Sequence, residues 1–167
     1  GKPASQLGIF TLQGGDIQAA VGNDVAVNRS RILTVAGGGI TLFSALGDID
    51  AGRGSKSATS APPPLVRVDQ DGNIVVELPG VVEGSGIGVL VTQAGVVPGD
   101  IDLFAPKGII DAGEAGIRAA GNITVFATQV LNASNIQVSG ASTGVPTVAA
   151  APNLSLASTS SSAASAT

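Results

Sequence analysis

A single short phrase recurs along most of this chain: a turn residue, any residue, Ile, any residue, then Val, Leu or Ala. Because the apolar positions are two residues apart, the phrase predicts short strands that bury one face. Gly recurs every few residues and β-branched residues fill the intervals, which excludes α-helix for most of the chain. The copies lie at residues 15–19, 38–42, 47–51, 72–76, 85–89, 99–103, 108–112, 115–119, 121–125 and 134–138.

The phrases belong to a longer repeat. Residues 38–52 align without a gap with residues 99–113, at an offset of 61, and nine of the fifteen positions are identical. A third copy starts 22 residues after the second, at Gly121. If one coil of a repeating fold takes about 21 residues, the long offset corresponds to one coil plus an insertion of about 40.

Short strands that turn at Gly or Asn and repeat at this period predict an all-β fold. We expect a right-handed parallel β-helix (β-solenoid) of about 4–5 coils with a β-hairpin insertion. Equivalent residues of successive coils should then stack on one another. We predict that eight residues stack in the core and face the interior: Phe43, Phe104, Phe126, Ile40, Ile49, Ile101, Ile110 and Ile123.

The pattern divides the chain into four segments. The insertion contains two β-rich runs on either side of Asp69-Gln70-Asp71-Gly72, which is hairpin turn chemistry. The tail is mostly Ala, Ser and Thr, and we expect it to be an intersubunit strand on a neighbouring copy, with a coil packed only against its own chain as the alternative. The segments are residues 1–54 and 99–140 for the coils, 55–98 for a Pro-rich linker plus hairpin insertion, and 141–167 for the tail.

Composition excludes several kinds of chemistry. The chain has no Cys, His, Met, Trp or Tyr, so it lacks a thiol nucleophile, an imidazole base and the usual zinc ligands. The net charge is −4 and the eight Lys and Arg residues are scattered, which argues against nucleic acid as a partner. The sequence shows neither a long apolar run nor a signal peptide, so we expect no membrane span. We predict a non-enzymatic protein without a cofactor.

Some motifs resemble sites but have simpler explanations. Ser142 lies in a G-x-S-x-G pattern, yet the chain has no His to act as its base. The Gly-rich run 52–57 lacks the spacing of a phosphate-binding loop. Pairs of acids could bind calcium if carbonyl oxygens completed the shell, so calcium is the one cofactor kept as an alternative. Strand alternation alone also explains these pairs, which are Asp48/Asp50, Asp69/Asp71 and Asp100/Asp102.

Three runs of the sequence resemble a known protein family. They are GDIDAGRGSKSATSAPPP, GSGIGVLVTQAGVVPGDIDLFAPKGIIDAGEAGIRAAGNI and VLNASNIQVSGASTGVP. Together they are similar to the C-terminal region of large exoproteins of the filamentous haemagglutinin family of Gram-negative bacteria, over about residues 37–146. The resemblance implies a secreted β-helical passenger of a two-partner secretion system, located outside the cell or on its surface, with roles in adhesion or biofilm.

Three functions compete at this point. The first is a structural subunit that forms a homo-oligomer or polymer, a fibre or stalk, by end-to-end or strand-addition contacts. The second is a binding module that presents the 55–98 insertion to a host surface or glycan. The third is a polysaccharide-active enzyme, which the lack of Trp and Tyr disfavours. Low charge and stackable columns favour the first, because natural monomers usually block their sheet edges.

Overall fold

The computed structural model describes residues 7–54, 65–68, 72, 74–77, 85–91 and 95–147, and these residues form an all-β fold without an α-helix. A 3₁₀ turn is present at Ala133–Asn135. The strands are β1 (Gly8–Thr11), β2 (Ile17–Val21), β3 (Val25–Ala26), β4 (Arg31–Val35), β5 (Ile40–Ser44), β6 (Ile49–Asp50), β7 (Leu65–Val68), β8 (Ile74–Glu77), β9 (Gly86–Leu90), β10 (Ile101–Asp111), β11 (Ile117–Ala119), β12 (Ile123–Leu131), β13 (Ile136–Val138) and β14 (Ser142–Thr143).

The strands form two parallel sheets and a separate hairpin. The first sheet has the order β1-β4-β9-β11-β13, and the second has the order β14-β12-β10-β5-β2. The short strands β3 and β6 extend the second sheet, where β6 pairs with both β3 and β10. The chain passes from one sheet to the other and back, so each pass lies over the previous one. We call one such pass a layer, and the arrangement is compatible with the predicted β-helix.

The pairing register is the one that the sequence repeat predicts. Ile101 pairs with Ile40 at the offset of 61 residues and with Ile123 at the offset of 22. Parallel hydrogen bonding places each residue beside its equivalent in the next layer, about 4.8 Å away. The repeat in the sequence is therefore a repeat of layers in space.

The insertion is shorter than the sequence analysis predicts. The hairpin itself is present, because β7 pairs antiparallel with β8 from Leu65↔Glu77 to Val68↔Ile74. However, β9 lies inside the predicted 55–98 segment and is a member of the first sheet, where it pairs with β4 and β11. The boundary at residue 98 is wrong, since the phrase at residues 85–89 is a strand of the layered structure and not of the insertion.

The core lies between the two sheets and consists of stacked columns of isoleucine. All five predicted isoleucines are buried with 1% exposure or less: Ile40, Ile49, Ile101, Ile110 and Ile123. The first sheet supplies a facing column of Ile32, Ile87 and Ile117. Because the inward residues of one layer contact the same residues of the next, the apolar area is removed from water along the whole stack.

The phenylalanines stack, but on the outside of the second sheet. Phe43, Phe104 and Phe126 occupy equivalent positions in three adjacent layers. Phe43 is 40% exposed and Phe126 is 60% exposed, so the prediction that this column faces the interior is wrong. The reason is strand alternation: each Phe follows its buried Ile by three residues, and an odd spacing places it on the opposite face. Leu42 and Leu103, at a spacing of two, fill the interior instead.

Glycine at the corner before the second sheet is required by the close approach of successive layers. A Cβ on Gly38 would lie 2.0 Å from the Gly15 carbonyl oxygen. A Cβ on Gly99 would lie 2.3 Å from the Gly38 carbonyl oxygen. Gly121 repeats the contact against Gly99 in the next layer. The glycine that opens the phrases at residues 38, 99 and 121 therefore reflects backbone contact between layers, which leaves no room for a side chain.

The start of the predicted tail belongs to the layered structure. Ser142 and Thr143 of β14 pair in parallel with Ile123 and Thr124 of the same chain. The predicted boundary at residue 141 is therefore too early, because the fifth layer continues past it. Residues 148–167, on which the intersubunit strand prediction also rests, lie outside the described residues.

We predict that Gly99→Ala destabilises the protein by about 1–3 kcal/mol, because the new methyl group overlaps the Gly38 backbone. Gly22→Ala is the matched control, since a Cβ on Gly22 meets nothing within 4 Å. Chemical denaturation followed by circular dichroism measures both. Equal stability of the two variants would contradict the close stacking of the corners.

We also predict that Leu103→Ala costs about 2–5 kcal/mol of unfolding free energy, as expected for a fully buried leucine. Phe126→Ala should cost only about 1 kcal/mol, because the exposed ring contributes mainly its contact within the outer column. The same denaturation experiment measures both variants. A larger loss for Phe126→Ala than for Leu103→Ala would place the phenylalanine column in the core after all.

Candidate functional site

The first layer is an end of the apolar core that no described strand covers. Ile9 pairs with Ile32 and continues the isoleucine column of the first sheet, but it is 54% exposed whereas Ile32 is 7% exposed. Leu7 and Phe10 beside it are also exposed. Among the described strands, β1 and β2 each have a neighbour on one side only, so no described strand pairs with the outer main-chain groups of either. This end of the stack has the properties of a docking surface for a further β-layer.

The other end of the described stack is polar. At the position where deeper layers have Ile123 and Ile101, β14 has the exposed Ser142. Thr143 is likewise exposed, and Ile136 and Val138 of β13 are half-buried. The two ends of the described stack therefore differ. The first layer continues an isoleucine column with Ile9, whereas the fifth layer has Ser142 in place of isoleucine.

Carboxylates and amides at the corners hold backbone N–H groups of the following layer. Asp16 Oδ1 accepts from the Gly39 N–H at 2.8 Å, and Asp100 Oδ1 accepts from the Asn122 N–H at 2.7 Å. Asn122 Oδ1 continues the series and accepts from the Ala141 N–H at 2.8 Å. Each side chain satisfies a donor that strand pairing leaves open where the chain turns.

A second corner has the same construction. Asp24 Oδ1 accepts from the Asp48 N–H at 2.8 Å, and Asp48 Oδ1 accepts from the Ile109 N–H at 2.7 Å. In the described part of the chain, no group of three or more acidic residues, His or Cys is placed to hold a metal ion. Asp48 and Asp100, which the sequence analysis considers for calcium, thus have structural partners in the next layer.

The other motifs take ordinary positions in the fold. Ser142 lies on the exposed strand β14, beside Ile123 and Thr124, and no imidazole exists in the chain to activate it. Arg53 follows a corner at Gly52, whose φ of +96° is in the left-handed region. Among the described residues no helix is long and apolar enough to cross a membrane.

Two arginines on the outer face of the first sheet were not anticipated from the sequence. Arg31 and Arg118 are buried to 4% and 5% exposure, and desolvation by burial lowers the pKa of both guanidinium groups. The Arg31 guanidinium carbon lies 5.4 Å from the centre of the Phe10 ring, and Arg118 donates to the Ala115 carbonyl oxygen at 3.3 Å. Ile32 follows Arg31 and Ile117 precedes Arg118 in the sequence. This pattern predicts that the isoleucine face of the sheet is buried, but it does not predict that the arginine face is buried as well.

A small apolar cluster lies on the same outer face. Leu33, Val35 and Leu90 are buried there, with Leu12 and Ala36 packed against them. Gly88 makes room for this cluster, because a Cβ on it would lie 2.9 Å from the Leu33 side chain. The first sheet thus has apolar residues on both faces, which is typical of a covered parallel sheet.

We predict that Asp48→Ala lowers the unfolding free energy by about 1 kcal/mol, because the Ile109 N–H loses its acceptor. Asp48→Asn keeps an oxygen at that place and should retain most of the stability. Thermal unfolding with and without added calcium measures both variants and the unmodified chain. A calcium-dependent rise in Tm that Asp48→Asn abolishes would contradict the purely structural role.

Comparison with known families gives one match. The profile of a family described as "Filamentous haemagglutinin family outer membrane protein" matches residues 37–147, from the corner before β5 to the end of the described stack. Comparison with curated proteins and with solved structures finds no match. The family match covers more than half of the chain and agrees with the resemblance carried by the three sequence runs. The chain therefore belongs to the filamentous haemagglutinin family of outer membrane proteins.

Proposed function

We propose that this chain is a right-handed β-solenoid that acts outside the bacterial cell or on its surface, as a structural part of a fibre or stalk with an adhesin-type role. The family description supports a surface location and an adhesin-type role. The parallel layers support a solenoid, and parallel crossovers between strands of one sheet are almost always right-handed. The proposed role is mechanical and needs no catalytic group.

The observation that carries the proposal is the apolar face of the first layer, which no described strand covers. Ile9 continues a column in which Ile32, Ile87 and Ile117 have 7% exposure or less, yet Ile9 itself is 54% exposed. A further layer stacked on β1 would bury this side chain and complete the hydrogen bonds of the strand at once. We assign a second copy of this chain to that position.

The two unlike ends define the geometry of the assembly. A contact between the first layer of one copy and the last layer of the next is heterologous, and because it stacks layers along one axis it should not close into a ring but continue as a filament. The first sheet has five strands, so each copy should add about 24 Å to the filament at about 4.8 Å per layer. Strand direction would run across the filament axis, as in other stacked β-structures.

We expect the purified chain to form filaments with this axial repeat in negative-stain electron microscopy, and to sediment as species larger than a monomer. Ile9→Lys should reduce the assembled fraction at a given concentration by about tenfold, because a charge would be buried at the contact. Val97→Lys is the matched control, since Val97 is an exposed apolar residue away from the ends. Sedimentation velocity measures the assembled fraction.

Two results would contradict the proposal. One is a monomer at all concentrations for the unmodified chain. The other is unchanged assembly of Ile9→Lys, which would show that copies associate through another surface. Circular dichroism of each variant separates loss of assembly from loss of folding.

A further inference from the structure

A cavity of about 670 Å³ opens at the third corner of the stack, where the chain leaves the second sheet. Asn28, Gly52 and Gly113 form this corner in successive layers, all with positive φ. The next residue in each layer is charged: Arg29, Arg53 and Glu114 respectively. All three line the cavity, together with Asn28 and Ser30.

Backbone hydrogen bonds fix the order of these three side chains. The Arg53 N–H donates to the Asn28 carbonyl oxygen at 2.8 Å, and the Ala115 N–H donates to the Gly52 carbonyl oxygen at 3.1 Å. Arg29, Arg53 and Glu114 therefore lie one above another at the layer spacing of about 4.8 Å. The result is a row of two positively charged residues followed by one negatively charged residue, in an order set by the backbone.

The two arginines are exposed and offer their charge to the cavity. Within the described part of the chain, neither Arg29 nor Arg53 forms an ion pair with an acidic side chain. Guanidinium groups bind carboxylates through parallel N–H donors, and a pair of them favours an anion strongly. The stack holds the backbones of both arginines in place. The free-energy cost of bringing the two guanidinium groups close together is therefore part of folding and does not reduce the affinity for a ligand.

The geometry points to a binding site for an acidic sugar, whose carboxylate lies between Arg29 and Arg53 and whose hydroxyl groups donate to Glu114. The cavity volume lies in the range of small-molecule sites. The described residues that line it include no aromatic ring, and Asn28 and Ser30 add polar groups, so a polyhydroxylated ligand fits better than a flat apolar one. Glu114 repels a second anionic group beside the first, which limits the site to one carboxylate.

This inference relies on the proposed surface location, and it is independent of filament formation. The probes are methyl β-D-glucuronide and methyl β-D-glucoside, which differ in the carboxylate alone, with sodium sulfate as a sugar-free anion. NMR titration of the unmodified chain should show that the glucuronide binds at least about tenfold more tightly than the glucoside. The amide signals of the corner that contains Asn28, Gly52 and Gly113 should move on titration.

Substitutions of the residues that line the cavity distinguish recognition of the carboxylate charge from recognition of the sugar hydroxyl groups. Arg29→Gln and Arg53→Gln should each weaken glucuronide binding about tenfold or more, whereas Lys107→Gln, which removes an exposed charge on β10, should leave it unchanged. Glu114→Gln should weaken glucuronide binding but strengthen sulfate binding, because it removes both an acceptor for hydroxyl groups and a repulsive charge. The opposite signs for the two probes are the specific signature of the site.

The inference is overturned if the two glycosides bind equally or not at all. It is also overturned if sulfate binds as tightly as the glucuronide and Glu114→Gln strengthens both, since the cavity would then recognise charge alone. Thermal unfolding and sedimentation of Arg29→Gln and Arg53→Gln should match the unmodified chain. If these variants lose sugar binding but still assemble, the binding site and the filament contact are separate features.

Discussion

Main-chain hydrogen bonding between parallel layers is the constraint on which the rest of this structure depends. It fixes the distance between layers at about 4.8 Å, so every side chain lies beside its equivalent in the next layer. Apolar residues then form continuous columns, as Ile40, Ile101 and Ile123 do, and glycine is needed where backbones approach at the corners. Low aromatic content and frequent glycine follow from the same spacing, because a narrow interior has no place for large rings.

The same spacing decides what the polar residues do. Asp16, Asp24, Asp48 and Asp100 accept hydrogen bonds from backbone groups of the following layer, which are the donors that turns leave unpaired. Their carboxylates are therefore part of the scaffold. The charged row that starts at Arg29 differs, because its members project from a corner into a cavity and bond to no acidic neighbour among the described residues.

The sequence alone predicted the register of the second sheet, the buried isoleucines and the hairpin, since these follow from local alternation and from the repeat. The prediction from sequence was wrong for the phenylalanines, where stacking between layers was considered without the alternation of side chains along each strand. Stacking of Phe43 on Phe104 is correct, but the alternation of the strand places both on the outside. The boundary at residue 98 failed because the strand Gly86–Leu90 has the same β-rich composition as the hairpin strands that precede it in the sequence.

What the sequence by itself determined is therefore the layer: which residues turn, which face inward and which repeat. What only the tertiary structure decided is which residues from distant parts of the chain share a corner or an outer face. Arg29 and Glu114 are far apart in sequence and carry no common motif, yet two layers of stacking place them in one cavity. Burial of Arg31 and Leu33 on the outer face likewise depends on packing against that face, which strand alternation does not specify. Strand alternation depends on neighbouring residues and can be read from the sequence. The number and order of the layers depend on contacts between distant parts of the chain.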